Sequence, residues 1–202
     1  MEMRNLRDQI HGNYVHTRRV RALANKFAEL IPPNARVLDV GCGDGFISHL
    51  IQVKRPDIVI EGIDVLVRDS THIPVIGFDG QTLPFADNEF DVVLFVDVLH
   101  HTDDPNILLN EAYRVSKNEL IIKDHTQDGL LAGPTLRFMD RVGNARHGVV
   151  IPYNYWPECN WRRTFSKMGL KISFWTQSLN LYPWWGNWLF GRSLHFIARV
   201  TK

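Results

Sequence analysis

Residues 36–45 read Arg36-Val37-Leu38-Asp39-Val40-Gly41-Cys42-Gly43-Asp44-Gly45. Val37, Leu38 and Val40 give the pattern of a short buried strand, and an apolar, helix-like run starts at Phe46. Between them, glycine falls at every second position. A strand that breaks into glycines and re-enters as a helix is expected to bring bare backbone amides close to a nucleotide-type ligand.

The spacing separates two kinds of ligand. A dinucleotide loop reads G-x-G-x-x-G and holds a pyrophosphate at the helix N-terminus. Here the spacing is G-x-G-x-G, with Asp39 two residues ahead of Gly41. An acid there suits a cationic ligand end better than a pyrophosphate. Further acids follow in order. The apolar run 58–63 ends at Asp64, where a carboxylate can accept hydrogen bonds from a ribose diol. Phe78-Asp79-Gly80 places a second acid after a third strand, within reach of an adenine amine. Leu83-Pro84-Phe85, Phe90-Asp91 and the strand Val92–Val96 follow, then Val98-Leu99-His100-His101. From residue 36 to about 116 this order resembles class I S-adenosylmethionine (SAM)-dependent methyltransferases.

That resemblance implies SAM as methyl donor and S-adenosylhomocysteine as product. It also implies a Rossmann-like α/β fold: a seven-stranded sheet, mostly parallel with an antiparallel last strand, and helices on both faces. Gly41, Cys42, Gly43 and Gly45 would hold the methionine end. Asp39 would orient loop amides or, through water, the ligand's ammonium. Asp64 would take the ribose, Asp79 the adenine amine with Gly80 nearby, and Val65 the adenine face. Val96, at the tip of strand 4, would turn its carbonyl to the ligand.

The remaining periodicities agree with such a sheet. Residues 1–31 read as N-terminal helices, with Val20, Leu23, Phe27 and Leu30 on one stripe and Pro32-Pro33 as the stop. Strands are expected at 36–40, 58–63, 75–78, 92–96 and 119–123, and helices at 44–53 and after Asp103 or Asp104. The end of the chain changes pattern: a helix at 157–168, a strand at 171–176 and a last strand at 194–200 with no helix between the two strands. Two such strands can pair antiparallel. Residues 125–156 are irregular, with a helical pattern at 134–142, and form a lid-like insert where ligands meet the carboxyl ends of the strands.

The 202 residues suggest one domain. With 23 Lys and Arg against 22 Asp and Glu, the net charge of +1 provides no long-range field for nucleic acid or an anionic membrane. No run approaches the roughly 18 apolar residues of a membrane span. The two cysteines, Cys42 and Cys159, suit a reducing cytoplasmic setting. No histidine, including His11, His49, His72, His147 and His195, shows metal-ligand spacing, so no metal is expected. The Asn/Asp-Pro-Pro-aromatic box common to base-modifying amino-methyltransferases is missing after strand 4, where Asp97-Val98-Leu99-His100 stands. The expected acceptor is therefore a small molecule, methylated at oxygen, nitrogen or carbon.

His101 and His125 are candidate general bases, because imidazole titrates near neutral pH. His100 and Asp124 stand beside them, and each histidine could equally pack in its turn or line the cofactor. Arg137, Arg141 and Arg146 could receive an acidic acceptor or form a solvated face. Tyr14 and His16 are weaker site candidates. The aromatic cluster Tyr182-Pro183-Trp184-Trp185 and Trp188-Leu189-Phe190 reads as core or homodimer packing, an acceptor pocket, or an interfacial anchor. Two other functions remain in view: a nicotinamide-dependent oxidoreductase, and a non-catalytic SAM-binding partner subunit.

Overall fold

The computed structural model describes residues 17–144, 152–182 and 193–202. Helix α1 covers 17–30 within the described residues. The elements β1 (Arg36–Val40), α2 (Phe46–Lys54), β2 (Val59–Asp64), β3 (Val75–Gly77) and β4 (Phe90–Val96) follow, and then a single 3₁₀ turn at Leu99–His101. After it come α3 (Pro105–Val115), β5 (Ser116–His125), α4 (Ala132–Asn144), α5 (Glu158–Lys167), β6 (Lys171–Thr176) and β7 (His195–Thr201).

The seven strands form one sheet in the order β3-β2-β1-β4-β5-β7-β6. The first five pair in parallel, whereas β7 runs antiparallel to both β5 and β6. The helix-free ending thus closes the sheet as expected, with the last strand inserted beside β5. Leu38, Val40, Val93 and Phe95 point to one face, where Leu108, Leu109 and Ala112 of α3 and Trp161 and Phe165 of α5 cover them. Val37, Val92 and Leu94 point to the other, under Leu23 and Phe27 of α1 and Ile51 of α2. Alternation along each strand therefore supplies two cores, one per face. Each large side chain removed from water there contributes roughly 1.5–3 kcal/mol.

Local signals explain most boundaries. Asp104 caps α3 by accepting the Asn106 amide at 3.0 Å, with Pro105 at the first helical position. Helix α2 starts where its apolar run does, at Phe46, two residues after the expected position 44, because Gly45 sits at φ +74° and holds the chain out of the helix. β5 runs from Ser116 to His125, longer at both ends than its apolar run, since its antiparallel partner β7 continues the ladder through Asp124↔Phe196 and His125↔His195. That extension decides the chemistry described next. The expected segments 1–16 and 145–151 and most of the Trp-rich cluster lie outside the described residues, as do Tyr14, His16, Arg146 and His147.

Candidate active site

The glycine loop is held by its neighbours. Gly41, Gly43 and Gly45 have φ of +72°, +60° and +74°. A Cβ on Gly41 would come within 2.6 Å of Val98, and one on Gly45 within 2.4 Å of Ile73, whereas one on Gly43 would meet nothing within 4 Å. Gly41 and Gly45 are thus packing glycines, and Gly43 fronts open space.

The amides, however, are not bare. The Ile63 carbonyl accepts from Gly41 at 2.7 Å and Cys42 at 3.3 Å, and Gly45 donates to the Cys42 carbonyl. The Gly43 amide donates to Asp64 Oδ2 at 2.8 Å. The tip of β2 therefore builds the loop, which offers shape rather than free donors. Asp64 also accepts the Leu66 amide at 2.9 Å through Oδ1. Each of its oxygens carries one bond and keeps one lone pair for a ligand hydroxyl.

Asp39 holds no loop amide, contrary to one expected role. Its Oδ2 accepts the Ser48 hydroxyl of α2 at 2.6 Å, and its buried Oδ1 has no partner. Burial pushes its pKa up to about 7, partly offset by the Ser48 bond. An orphaned carboxylate oxygen beneath a glycine loop fits a ligand ammonium reached through water.

Asp79 takes the Gln81 and Thr82 amides on Oδ1 at 2.8 and 2.7 Å, which lowers its pKa and leaves Oδ2 exposed. Val65 is exposed, and a Cβ on Gly80 would come 3.1 Å from it. The tips of β2 and β3 thus meet at Val65 and Gly80 and form an apolar slot with a carboxylate at its edge. Val40 pairs with Phe95, so half-buried Val96 comes level with the start of the loop. These residues fit a sulfonium nucleoside: a cradle open at Gly43, a diol acceptor, an adenine slot and an anionic oxygen for its ammonium.

Beyond the loop lies a buried ionic network whose extent the sequence did not show. Asp97 has φ +58° and pairs with both Arg19 of α1 and Lys123 of β5. Burial raises the Asp97 pKa, but the two cations outweigh it and hold the carboxyl well below the usual range. Lys123 is fully buried, which lowers its own pKa against the pull of Asp97, and its Nζ lies 3.2 Å from His195 Nδ1. His195 is pushed well below its ordinary pKa by burial and Lys123, and faces the Tyr182 hydroxyl at 3.4 Å.

A second chain runs through His100. Its Nδ1 lies 2.6 Å from Asp124 Oδ1, and its Nε2 lies 3.4 Å from Asp140 Oδ2 of α4. Burial opposes the charged ring, but Asp124 and Asp140 outweigh burial and push the pKa up to about 10. Asp140 also accepts from Tyr155. His125 joins the two chains, with Nδ1 3.3 Å from His100 Nδ1 and 3.6 Å from Asp97 Oδ1. It is buried, and burial, Lys123 and His100 lower its pKa. Among the described residues, three cations (Arg19, Lys123, His100) thus face three anions (Asp97, Asp124, Asp140).

Among the described residues, two clusters bring metal-ligand types together: Asp97-His125-His195 and His100-Asp124-His125. The Lys123 ammonium sits against two members of the first. In the second, Asp124 Oδ1 already takes the His125 amide at 2.7 Å as well as His100. Protein donors thus serve both clusters.

His101 differs from its neighbours. Its ring is partly open, stacks 4.1 Å from His100, and has a buried Nδ1 with no partner, which leaves Nε2 for a ligand. Burial and the adjacent His100 charge push its pKa down to about 4, so it is neutral at pH 7. The Val98 carbonyl accepts the His101 amide at 2.9 Å, and Val98 also packs on Gly41. One 3₁₀ turn therefore separates His101 from Val98, the residue that packs on the glycine loop. Sequence reasoning noticed His100 and Asp124 but missed Arg19, Asp97, Lys123, Asp140, Tyr155 and His195. The one signal available was charge within the otherwise apolar β5 run, Lys123-Asp124-His125.

A methyltransferase-domain family model matches residues 38–122. Over 95 residues the chain is 35% identical to the ubiquinone/menaquinone biosynthesis C-methyltransferase UbiE of Desulfotalea psychrophila, across 43% of this chain and 39% of that one. Over 97 residues it is 29% identical to the tRNA (carboxymethyluridine(34)-5-O)-methyltransferase of Schizosaccharomyces pombe, across 46% of this chain and 41% of that one. These matches span only about two fifths of either relative's length. The SAM-dependent methyltransferase structure from Mesorhizobium loti shares the fold with TM-score 0.63 at 14% identity, over 86% of this chain and 94% of that one.

Over residues 38–122 the chain is thus similar to the methyltransferase-domain family, and it shares its fold with SAM-dependent methyltransferase structures. The parallel sheet with its helix-free antiparallel edge agrees with that likeness.

Proposed function

We propose that this protein transfers a methyl group from SAM to a small-molecule acceptor with an acidic O–H, N–H or C–H, and that His101 receives the proton. The observation that carries this reading is the neutral, partly open His101 ring one 3₁₀ turn from Val98, which packs on the glycine loop. SAM, when bound, supplies a methyl group already activated on a sulfonium. The chain must then bind, align and remove a proton. The Gly43 opening, Asp39 Oδ1, Asp64, Val65 and Asp79 would hold the donor. A base with a pKa near 4 is weak, so it matches an acceptor whose own proton is acidic. His125 is walled in by Asp97, His100 and Asp124, and serves as a positioning residue behind His101 rather than a group that touches the acceptor. Helix α4, anchored to His100 through Asp140, would border the acceptor mouth.

The two free thiols suit a reducing cytoplasmic setting, and no described helix is long and apolar enough to cross a membrane. With a net charge of +1, a polyanionic RNA acceptor receives no field-driven attraction. The test is calorimetry with SAM and S-adenosylhomocysteine, followed by labelled methyl transfer into small-molecule and RNA fractions. Binding with label in the small-molecule fraction supports the reading. Label only in RNA overturns the acceptor class. Binding without transfer to either fraction assigns the chain a non-catalytic partner role.

A further inference from the structure

Helix α4 turns its two sides to different surroundings. Ala132, Leu136 and Asp140 face inward, where Asp140 meets His100 and Tyr155. The outer side is apolar instead of polar. Phe138 and Val142, one turn apart, are 58% and 63% exposed. Leu130 and Leu131, at the entry to the helix, are 88% and 60% exposed. Arg137 and Arg141, also one turn apart and exposed, run along one edge of this stripe. The helix's only acid, Asp140, is buried on the opposite side. Within α4 the apolar stripe is bordered by cations and by no exposed acid, the pattern of a helix lying in a lipid–water interface; exposed Asp128, before Leu130, accepts the Glu158 amide.

We infer that the outer face of α4 docks reversibly on an anionic lipid surface, with Leu130, Leu131, Phe138 and Val142 entering the acyl boundary and Arg137 and Arg141 meeting anionic headgroups. Charge decides between occupants. A second copy packed symmetrically on the same helix would bring Arg137 and Arg141 against their own counterparts, with no exposed acid among the residues of α4 to receive them. An anionic headgroup layer supplies the missing charge. The opposite side of the same helix carries Asp140, which meets His100. The inference goes beyond the proposed methyl transfer and does not depend on it.

The test is flotation of the full chain with vesicles of phosphatidylcholine alone and of phosphatidylcholine mixed with phosphatidylglycerol. The chain should float with the anionic vesicles, weakly with neutral ones, and less as salt rises. R137Q/R141Q should lower anionic partitioning by about thirtyfold, at a factor of about five per arginine. F138E/V142E should abolish it. Both pairs are exposed, and matching melting curves would confirm that each variant folds. No flotation with anionic vesicles overturns the inference, as does flotation that both double variants leave unchanged. A concentration-dependent doubling of mass by light scattering, lost in F138E/V142E, would give the face to a second copy and also overturn it.

Discussion

Asp64 at the tip of β2 accepts the Gly43 amide at 2.8 Å, so the carboxylate expected to hold the ribose also ties down the glycine loop. Cofactor affinity and loop order are coupled through this side chain. Asp64→Ala should weaken SAM binding by tenfold to a hundredfold, the range for a lost hydrogen bond to a charged group. Asp64→Asn should recover part of the loss, because its carbonyl oxygen can still accept the Gly43 amide. Calorimetry on both variants measures the difference.

His101 should act on turnover rather than on binding. His101→Ala should lower kcat by a factor of about 10²–10⁴ and leave the SAM Kd nearly unchanged. Because burial and His100 push its pKa down to about 4, the rate should stay flat from neutral to mildly acid pH. A rate that falls with a midpoint near 6.5, the ordinary histidine value, would show that His101 is not the group titrating.

His100 couples the fold to pH in the alkaline direction. Its folded pKa, about 10, lies above the ordinary 6.5, since Asp124 and Asp140 outweigh burial. Its contribution is therefore fully present below about pH 6.5 and is lost as pH rises through about 10. Denaturant melts of the native protein and of His100→Gln should differ most at pH 6 and converge toward the alkaline end. A constant gap across that window would show that the ring is not charged in the fold.

Lys123 and Asp97 form a buried pair at the carboxyl ends of β5 and β4. Lys123→Met leaves Asp97 with Arg19 alone and should cost about 3–5 kcal/mol. At roughly 2–4 °C per kcal/mol for a chain of this size, the melting temperature should fall by about 10 °C. K123M/D97N removes both charges but leaves Arg19 without Asp97, so it should be no more stable than K123M. Calorimetric melts of the singles and the double measure the coupling.

Much of the fold is legible in local stretches of sequence. Short-range rules set the elements: alternation in β1 and β4, the Asp104–Pro105 cap of α3, and the absence of a helix between β6 and β7. The positions of Gly41 to Gly45, Asp64 and Asp79 are legible for the same reason, since each sits at a strand end, where position follows from chain order. The ionic network is not. Its members span Arg19 to His195 and meet only because α1, β4, β5, α4 and β7 converge at one end of the sheet. Burial that moves the pKa of His100 to about 10 and that of adjacent His101 to about 4 has no signature in two consecutive histidines.

The sequence by itself therefore determined the parallel sheet, the glycine loop and the order of the ligand-facing acids, because these depend on contacts within a few residues of chain. The tertiary structure decided that the loop's amides are already bonded, that His101 is open while His125 is enclosed, and that α4 turns its apolar residues outward. Each of those outcomes depends on which distant groups exclude water from a side chain. Desolvation and charge pairing across the sheet are properties of the assembled ends of strands, which no single stretch of the chain contains.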